Sequence, residues 1–459
     1  MATTYLSKTF SSAGTRSKWT FSAWIKGIRV GAVNHIFSYY NNDSARWSTL
    51  QITGTYKLRY YDYNNGTFYT QLVSTKTMQD PNAWYHIVLT YDTAQSTAAD
   101  RVKMYVNGEQ VTALDTATYP NQNHSAYINN DTNPHTIGHE ITGGYFEGCM
   151  THIHFTDNYA YAASDFGSTD SVTGEWNINT TPSVSYGTNG FFILKDTNSV
   201  TDQSGQSNNW AVAAGSLTPT IDNPSNNFAV FNALFKAGAG TTTFSNGNLT
   251  GQSPNSQGSS GVSSLGAKSG KWYAEFKQSA ESTTNEGAIA VVDSHYINQN
   301  LGLSSSGYLE YCVACWGLRD HSSGGTFYSS GGSRSTGSSQ HQGWSNGDIL
   351  MVAMDIDNNR VYFGKNGQWN ASNTWSSATP SQYLTLDATD FEGEYHFAVG
   401  DSSSGNNVTW QANFGNGYFG STAVTSAQNP DDGNGIFEHD VPAGYRALCT
   451  KSINAEEYS

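Results

Sequence analysis

The chain has 459 residues, of which only 13% are charged, and its formal net charge of −15 excludes a protein that binds nucleic acid through clustered Lys and Arg. The shortage of cations also argues against anionic membranes, and no run of 18 or more apolar residues predicts membrane insertion. Four cysteines can form too few disulfides to stabilise a secreted protein of this size, so stability must come from apolar cores. The length predicts two domains of roughly 200 residues each.

The first predicted strands lie in residues 20–25, 84–92 and 102–109. Each segment alternates apolar and polar side chains and is bounded by Gly, Asn, Asp or Pro, which is typical of half-buried antiparallel strands. These segments resemble the early strand and central hairpin of laminin-G-like, concanavalin A-like jelly rolls. The resemblance implies such a jelly roll over residues 1–166.

Residues 167–240 differ in composition from the predicted first domain, because they are rich in turn-forming residues and contain one short apolar strand at 191–194. We interpret them as a loop-rich connector. The Gly/Ser-rich residues 251–270 predict a linker or a surface loop. Residues 321–343 form the longest low-complexity run inside a predicted domain, and loops of that length are usually functional or disordered.

Residues 347–369 predict a β-hairpin more clearly than any other stretch. Two apolar runs are joined by a turn at Asn358 and Asn359, and a second turn follows at Asn366 and Gly367. Both faces of the first run are apolar, as in a strand buried inside a sandwich. The stretch resembles the signature hairpin of SPRY domains.

Two further segments, residues 270–276 and 395–400, resemble the opening strand and the late core strand of that family. The resemblance implies a SPRY-like sandwich with a C-terminal extension over residues 241–459, of a kind that binds partners through loops and is rarely catalytic. The predicted fold is therefore all-β, with two tandem antiparallel β-sandwiches, first concanavalin A-like and then SPRY-like, and a loop-rich connector.

The connector resembles a segment of virion proteins from marine bacteriophages, which has Asp-x-Pro-x-Asn-Asn-Phe at residues 222–228 and Asn-Gly-Asn-Leu at 246–249. Residues 442–451 resemble the C-terminal segment of such proteins. The resemblance implies a non-enzymatic virion protein of a tail fibre or other peripheral appendage. It would bind host-surface glycan or protein through loops, contact other virion proteins and occur in multiple copies per particle.

The N-terminal residues carry no signal-peptide core, which predicts synthesis in the host cytoplasm before incorporation into a virion. Two alternatives stay open at this point. One is an architectural or decoration protein of the capsid or tail that has no host ligand, and the other is a glycan-degrading enzyme.

Aromatic residues in polar, Gly-rich surroundings are the candidate ligand-binding residues, because sugar rings stack on aromatic rings while their hydroxyls need polar partners. In the second domain Phe327, Tyr328 and Arg334 lie in the low-complexity run, and Trp344 follows it. In the first domain the candidates Tyr61 and Tyr63 lie in an aromatic-rich stretch beside the Asn-Asn-Gly turn at residues 64–66.

No residue is predicted to be catalytic. The chain has no Glu-x-Asp-x-Glu motif, and the nearest acidic pairs, Glu140 with Glu147 and Glu438 with Asp440, are best interpreted as solvated loop carboxylates. No cofactor is expected to be required. Laminin-G-like sandwiches often hold calcium at one rim, which makes three loop carboxylates candidate calcium ligands, namely Asp43, Asp131 and Asp157.

Two spacings could suggest another metal. Cys312 and Cys315 are three apart in a strand-like run, so they face opposite sides, and buried thiols are the favoured interpretation. His152 and His154 share a strand face and could form a ligand pair, although polar residues facing solvent explain them more simply.

Overall fold

A computed structural model describes the protein over residues 3–41, 45–140, 143–197, 199–235, 242–253, 260–281, 287–299, 309, 314–320, 325–330, 333–338, 341–386, 393–401 and 407–458. For residues 298–299, 326–330 and 333–338 it describes the backbone alone. None of the helices in these ranges is long and apolar enough to cross a membrane.

The chain forms two compact units. Unit 1 comprises residues 1–219 and 223–225, and unit 2 comprises residues 220–222 and 226–459. The predicted connector, residues 167–240, is thus divided between the two units, because its strands Phe191–Ile193 and Ala211–Ala214 join the large sheets of unit 1 and its apolar residues from Phe228 to Phe231 are buried in unit 2.

Unit 1 contains two short 3₁₀ helices (Ala98–Asp100 and Ala163–Asp165) and sixteen strands within its described residues. The strands are β1 (Tyr5–Lys8), β2 (Lys18–Lys26), β3 (Asn34–Asn41), β4 (Arg46–Ile52), β5 (Lys57–Asn64), β6 (Thr67–Thr77), β7 (Tyr85–Asp92), β8 (Val102–Val106), β9 (Glu109–Gln110), β10 (Leu114–Thr118), β11 (His135–Ile137), β12 (Cys149–Asp157), β13 (Gly167–Thr169), β14 (Trp176–Ile178), β15 (Phe191–Ile193) and β16 (Ala211–Ala214).

Fourteen of these strands build a sandwich of two antiparallel sheets, and β13 and β14 pair with each other in a separate two-stranded sheet. The eight-stranded sheet has the order β10-β6-β5-β4-β3-β11-β1-β16, and the six-stranded sheet has the order β15-β12-β2-β7-β8-β9. The core lies between them, where Phe21 of β2 stacks on Phe37 of β3 with ring centroids 4.7 Å apart. The predicted strands at residues 20–25, 84–92 and 102–109 are confirmed as β2, β7 and the β8-β9 hairpin.

The two sheets differ on their outer faces. On the six-stranded sheet, Val88 of β7 is buried beneath Ala163 and Phe166, so the segment after β12 covers that face. On the eight-stranded sheet, large side chains of β6 reach solvent, and Phe68 and Tyr69 are 37% and 39% exposed. The outer face of the eight-stranded sheet is therefore partly open to solvent at β6.

Unit 2 contains two α-helices, α1 (Ser294–Gln299) and α2 (Thr450–Glu457), and eighteen strands within its described residues. The strands are β17 (Thr243–Ser245), β18 (Thr250–Gln252), β19 (Ser260–Val262), β20 (Lys271–Glu281), β21 (Gly287–Asp293), β22 (Cys315–Arg319), β23 (Gly325–Ser330), β24 (Ser333–Ser338), β25 (Ile349–Asp355), β26 (Arg360–Lys365), β27 (Gln368–Ala371), β28 (Thr374–Ser377), β29 (Tyr383–Thr385), β30 (Tyr395–Asp401), β31 (Val408–Asn413), β32 (Tyr418–Phe419), β33 (Thr422–Ala423) and β34 (Arg446–Ala447).

Unit 2 is also a sandwich. One sheet runs β17-β18-β31-β20-β25-β26-β27-β28, with β29 and β34 added beside β26 and β20, and the other runs β19-β30-β21-β22-β23-β24. The predicted hairpin at residues 347–369 is confirmed as β25 and β26, and its two apolar faces are both buried. Leu350, Val352 and Met354 enter the core between the sheets, whereas Met351 and Ala353 pack under the C-terminal extension.

Two predicted loops contain strands instead. Residues 321–343 include the hairpin β23-β24, whose first strand pairs with β22, so a low-complexity composition did not prevent sheet formation. Residues 251–270 include β19, which pairs with β30. Ser and Gly have low strand propensity, and tertiary pairing overrides that preference here.

Candidate functional site

A row of aromatic side chains crosses four adjacent strands on the outer face of the eight-stranded sheet. Tyr40 of β3 is the direct cross-strand neighbour of Trp47 on β4, Trp47 of Tyr63 on β5, and Tyr63 of Phe68 on β6. Successive ring centroids are 5.3, 4.6 and 5.0 Å apart. We call these four residues the aromatic row.

The two-residue period of a strand explains why the row faces outward. On β5, Leu58, Tyr60 and Asp62 point into the core, so Tyr61 and Tyr63 must point to the opposite face. The register between β5 and β6 shifts after Asp62, and this irregularity turns Phe68 towards Tyr63.

Tyr61 and Arg59 extend the row along β5. The Tyr61 ring meets the edge of Phe68 at a centroid distance of 5.7 Å and an angle of 85°. The guanidinium carbon of Arg59 lies 4.5 Å from the Tyr61 ring centroid and 5.5 Å from that of Phe68. Partial burial raises the pKa of Tyr61 and lowers the pKa of Arg59, because both charged forms lose hydration.

The sequence located part of this site. Tyr61 and Tyr63 were predicted, and the structure places both on the outer face, half-buried and in contact with Phe68. Tyr40, Trp47 and Arg59 were missed. The alternation in β4, where Leu50 and Ile52 are buried, was the available signal that Trp47 faces the other way.

The candidates of the second domain do not form a comparable site. Phe327, Tyr328 and Arg334 lie on β23 and β24, and their side chains are outside what the structure describes. Trp344 was expected to be an accessible loop aromatic, which is wrong, because it is only 4% exposed. Its indole N–H donates a 2.8 Å hydrogen bond to Gln278 Oε1, so it is a core residue of unit 2.

The three calcium candidates also differ in where the structure places them. Asp43 lies outside the described residues, and Asp131 is exposed. Asp157 is 3% exposed, and its carboxylate accepts hydrogen bonds from Thr15 N, Asn129 Nδ2 and Asn189 N at 2.8, 2.7 and 3.2 Å. Among the residues that the structure describes, no cluster of three or more His, Cys, Asp or Glu could hold a metal ion.

The paired histidines on β12 are not solvent-facing polar residues. The strand bulges after Thr151, and His152 takes a positive φ of 48°. His154 stacks on Phe192 with centroids 3.9 Å apart, and its Nδ1 lies 2.9 Å from the Tyr186 hydroxyl. Both rings therefore serve packing in unit 1.

The acidic and thiol candidates also have structural roles. Glu147 forms a 3.1 Å ion pair with Arg29, and Glu438 accepts a 2.6 Å hydrogen bond from Thr425 N. Cys312 lies outside the described residues. Cys315 is buried, as expected for a thiol in a core strand, and its Sγ donates to the Leu309 carbonyl at 3.3 Å.

One arrangement in unit 1 superficially resembles a nucleophile with its base. Ser22 Oγ lies 2.8 Å from His86 Nε2, and both residues are 1% exposed. The indole N–H of Trp176 donates to His86 Nδ1 at 3.0 Å, so Nδ1 carries no proton and Nε2–H must donate to Ser22. A general base would need a free lone pair at Nε2, which makes this tautomer unsuitable for activating the serine.

Comparison with protein families gives one match. Residues 2–165 match the model described as "Concanavalin A-like lectin/glucanases superfamily". This part of the chain is therefore similar to laminin-G/concanavalin A-like domains. The match covers the strands that carry the aromatic row. A search of curated proteins found no significant match.

Three solved structures illustrate the range of similar folds. The SPRY domain of human HERC1 is 15% identical, with 40% of this chain and 96% of that one covered and a TM-score of 0.27. A heptameric SAP-like pentraxin from Limulus polyphemus is 14% identical, with coverages of 42% and 86% and a TM-score of 0.26. Domains LG4-5 of the mouse laminin alpha1 chain are 10% identical, with coverages of 88% and 90% and a TM-score of 0.25.

Proposed function

We propose that this protein is a non-enzymatic, glycan-binding component of a bacteriophage virion, and that the aromatic row is its glycan site. The lectin/glucanase-type fold of residues 2–165 is compatible with carbohydrate or protein binding. We propose a glycan as the ligand because a continuous line of half-exposed rings lies on an outer sheet face.

The row suits an extended polysaccharide. Neighbouring strands are about 4.8 Å apart, so a ring on each of four strands repeats at a spacing close to the length of one sugar unit. Aromatic rings provide apolar contact area for the C–H faces of sugars, and the tyrosine hydroxyls add polar contacts. Gln71, which lies opposite Tyr61 on β6 and is partly exposed, could hydrogen-bond sugar hydroxyls.

The virion assignment rests on the sequence resemblances at residues 222–228, 246–249 and 442–451. We place the protein in a tail fibre or peripheral appendage of a particle made in the host cytoplasm, in contact with other virion proteins. Several copies per particle would convert weak binding at each row into avidity for a host surface. We propose that the protein neither binds nucleic acid nor inserts into a membrane, and that it requires no cofactor.

Two observations support a binding role over a hydrolytic one. The Ser22–His86 pair has the wrong tautomer for nucleophile activation, because Trp176 donates to His86 Nδ1. Glu147, the nearest acidic partner of Glu140 in sequence, is paired with Arg29. Hydrolysis of a bound glycan by the intact protein would overturn this part of the proposal.

The test compares binding of host-surface polysaccharide by wild-type protein, Trp47→Ala and Tyr383→Ala. Tyr383 is a suitable control because it is 43% exposed in unit 2 and also has an arginine, Arg360, stacked on its ring at 4.4 Å. We expect Trp47→Ala to weaken binding about tenfold, the upper end for one lost ring contact, and Tyr383→Ala to leave it unchanged. Equal binding of the polysaccharide by all three proteins would show that the aromatic row is not the binding site.

The position in the particle needs a separate measurement, namely cryo-electron microscopy of the virion that carries this chain. Copies that project from a tail or fibre with the aromatic row facing outward agree with host attachment. Copies whose row is buried against neighbouring subunits would favour an architectural role without a host ligand.

A further inference from the structure

Arg59 differs from the other half-buried arginines of unit 1 in what surrounds it. Its guanidinium lies against the rings of Tyr61 and Phe68, at 4.5 and 5.5 Å. Within the part of the chain that the structure describes, the guanidinium of Arg59 has neither an ion pair nor a hydrogen bond, and its Nε–H is enclosed without an acceptor. By contrast, Arg29 pairs with Glu147 at 3.1 Å, and Arg101 donates to three backbone carbonyls.

This arrangement is unfavourable for the free protein. A guanidinium that is partly removed from water loses hydration, and contact with aromatic faces replaces only part of it. A planar guanidinium presents its terminal N–H groups in one plane, in the geometry that matches two oxygens of a carboxylate or sulfate. The terminal Nη groups of Arg59, unlike its enclosed Nε–H, are therefore positioned to bind an anionic ligand.

We infer that the aromatic row binds an acidic polysaccharide, with sugar rings packed on the row and a carboxylate or sulfate group of the ligand paired with Arg59. This inference rests on the proposed glycan-binding function and adds the class of glycan. Arg59 is then the residue that distinguishes an acidic chain from a neutral chain with the same backbone.

Because the protein as a whole is acidic, a preference for acidic chains would indicate a specific local contact. The net charge is −15, so the protein as a whole repels a polyanion, and a general basic surface cannot produce a preference for acidic chains. Burial is the main cause of the raised pKa of Tyr61, and the charge of Glu140, which is 4% exposed, adds to it, whereas the charge of Arg59 lowers it.

The experiment uses the full chain and immobilised polysaccharides with glucan, galactan or mannan backbones, each in neutral, carboxymethylated and sulfated form. We expect at least one backbone to bind about tenfold more tightly in an acidic form, as for one charge-assisted contact. The carboxymethylated and sulfated arms show which anion is preferred. Raising the ionic strength from roughly 0.05 to 0.5 M should reduce the acidic preference and spare the binding of the neutral chain.

Arg59→Met keeps an unbranched side chain on the rings but removes the charge, so it should equalise acidic and neutral binding without weakening the neutral form. Arg59→Lys should retain part of the preference. The matched control is Arg360→Met, which likewise removes the charge from the ring of Tyr383 in unit 2 and should change nothing.

The outcomes separate the two proposals. Equal binding of acidic and neutral chains by wild-type protein, or an acidic preference that survives in Arg59→Met, overturns the role of Arg59. In that case the row still stands as a glycan site if Trp47→Ala weakens binding of the neutral chain about tenfold. If no polymer of any backbone binds in any form, the proposed function fails and this inference fails with it.

Discussion

The buried carboxylate of Glu275 accepts a 2.8 Å hydrogen bond from the backbone N–H of His439, which joins β20 to the C-terminal segment of unit 2. The neighbouring N–H of Glu438 donates to the same carboxylate at 2.9 Å, and the Tyr273 hydroxyl donates at 2.9 Å. Glu275 is 0% exposed. One acidic side chain thus holds a segment that is far away in sequence.

This contact predicts a pH dependence for unit 2. Burial raises the pKa of Glu275 to about 7, so the folded protein binds its proton more tightly than the unfolded chain does. The free energy of unfolding should therefore fall as pH rises from about 4.5 to 7 and change little above that. Glu275→Gln should flatten this dependence.

Hydrogen exchange of peptides from β20, corrected for the intrinsic effect of pH, measures the change within unit 2. Asp431→Asn is the control, because Asp431 is an exposed acid of the same C-terminal segment. Protection that increases from pH 5 to pH 8 in the wild-type protein would contradict the prediction.

The aromatic row should contribute less to stability than the core. Trp47→Ala removes cross-strand ring contacts on an open face and should cost about 1 kcal/mol. Phe21→Ala removes a ring that is 0% exposed and stacked on Phe37, and it should cost about 3–5 kcal/mol. Urea denaturation of unit 1 compares the two. A cost for Trp47→Ala as large as that for Phe21→Ala would mean that the row is primarily structural.

The sequence predicted the elements whose pattern is local. The hairpin β25-β26 has apolar residues on both faces and turn residues between its strands, so its identity and burial follow from neighbouring positions. The laminin-G-like strands of unit 1 were found for the same reason.

The aromatic row could be found only in part, because it depends on which residues of four strands stand side by side. Tyr61 and Tyr63 belong to one strand, whereas Tyr40 and Trp47 join them through long-range register. Trp344 was misjudged because its Ser- and Gly-rich neighbours suggested a loop. Its hydrogen-bond partner Gln278 is 66 residues away and could not be inferred from composition.

Asp157 should stabilise unit 1 without a metal ion. Its carboxylate accepts three hydrogen bonds, from Thr15, Asn129 and Asn189, and thereby joins three separate segments. Asp157→Ala would leave buried donors unpaired and should cost about 2–4 kcal/mol. A chelator should leave the Tm of the wild-type protein unchanged. A drop in Tm on chelation that calcium restores would instead assign a calcium site.

Unit 1 should lose stability in acid, in the direction opposite to the effect of Glu275 in unit 2. Burial lowers the pKa of His86 to about 3, of His135 to about 3 and of His35 to about 4. The unfolded chain protonates these rings below pH 6.5 while the folded protein resists, so stability is present above that pH and falls as the pH decreases towards 4. Each such histidine should cost about 2 kcal/mol at pH 5.

Denaturation of wild-type protein and His86→Gln at pH 7.5 and pH 5 tests this effect for one ring. Glutamine keeps hydrogen-bonding groups near Ser22 and Trp176 but cannot titrate, so the variant should lose less stability on acidification than the wild-type protein. In unit 2 the contribution of Glu275 should have the reverse dependence on pH. If His86→Gln lost as much stability on acidification as the wild-type protein, the pKa of His86 would not be lowered in the folded protein, and this prediction would be wrong.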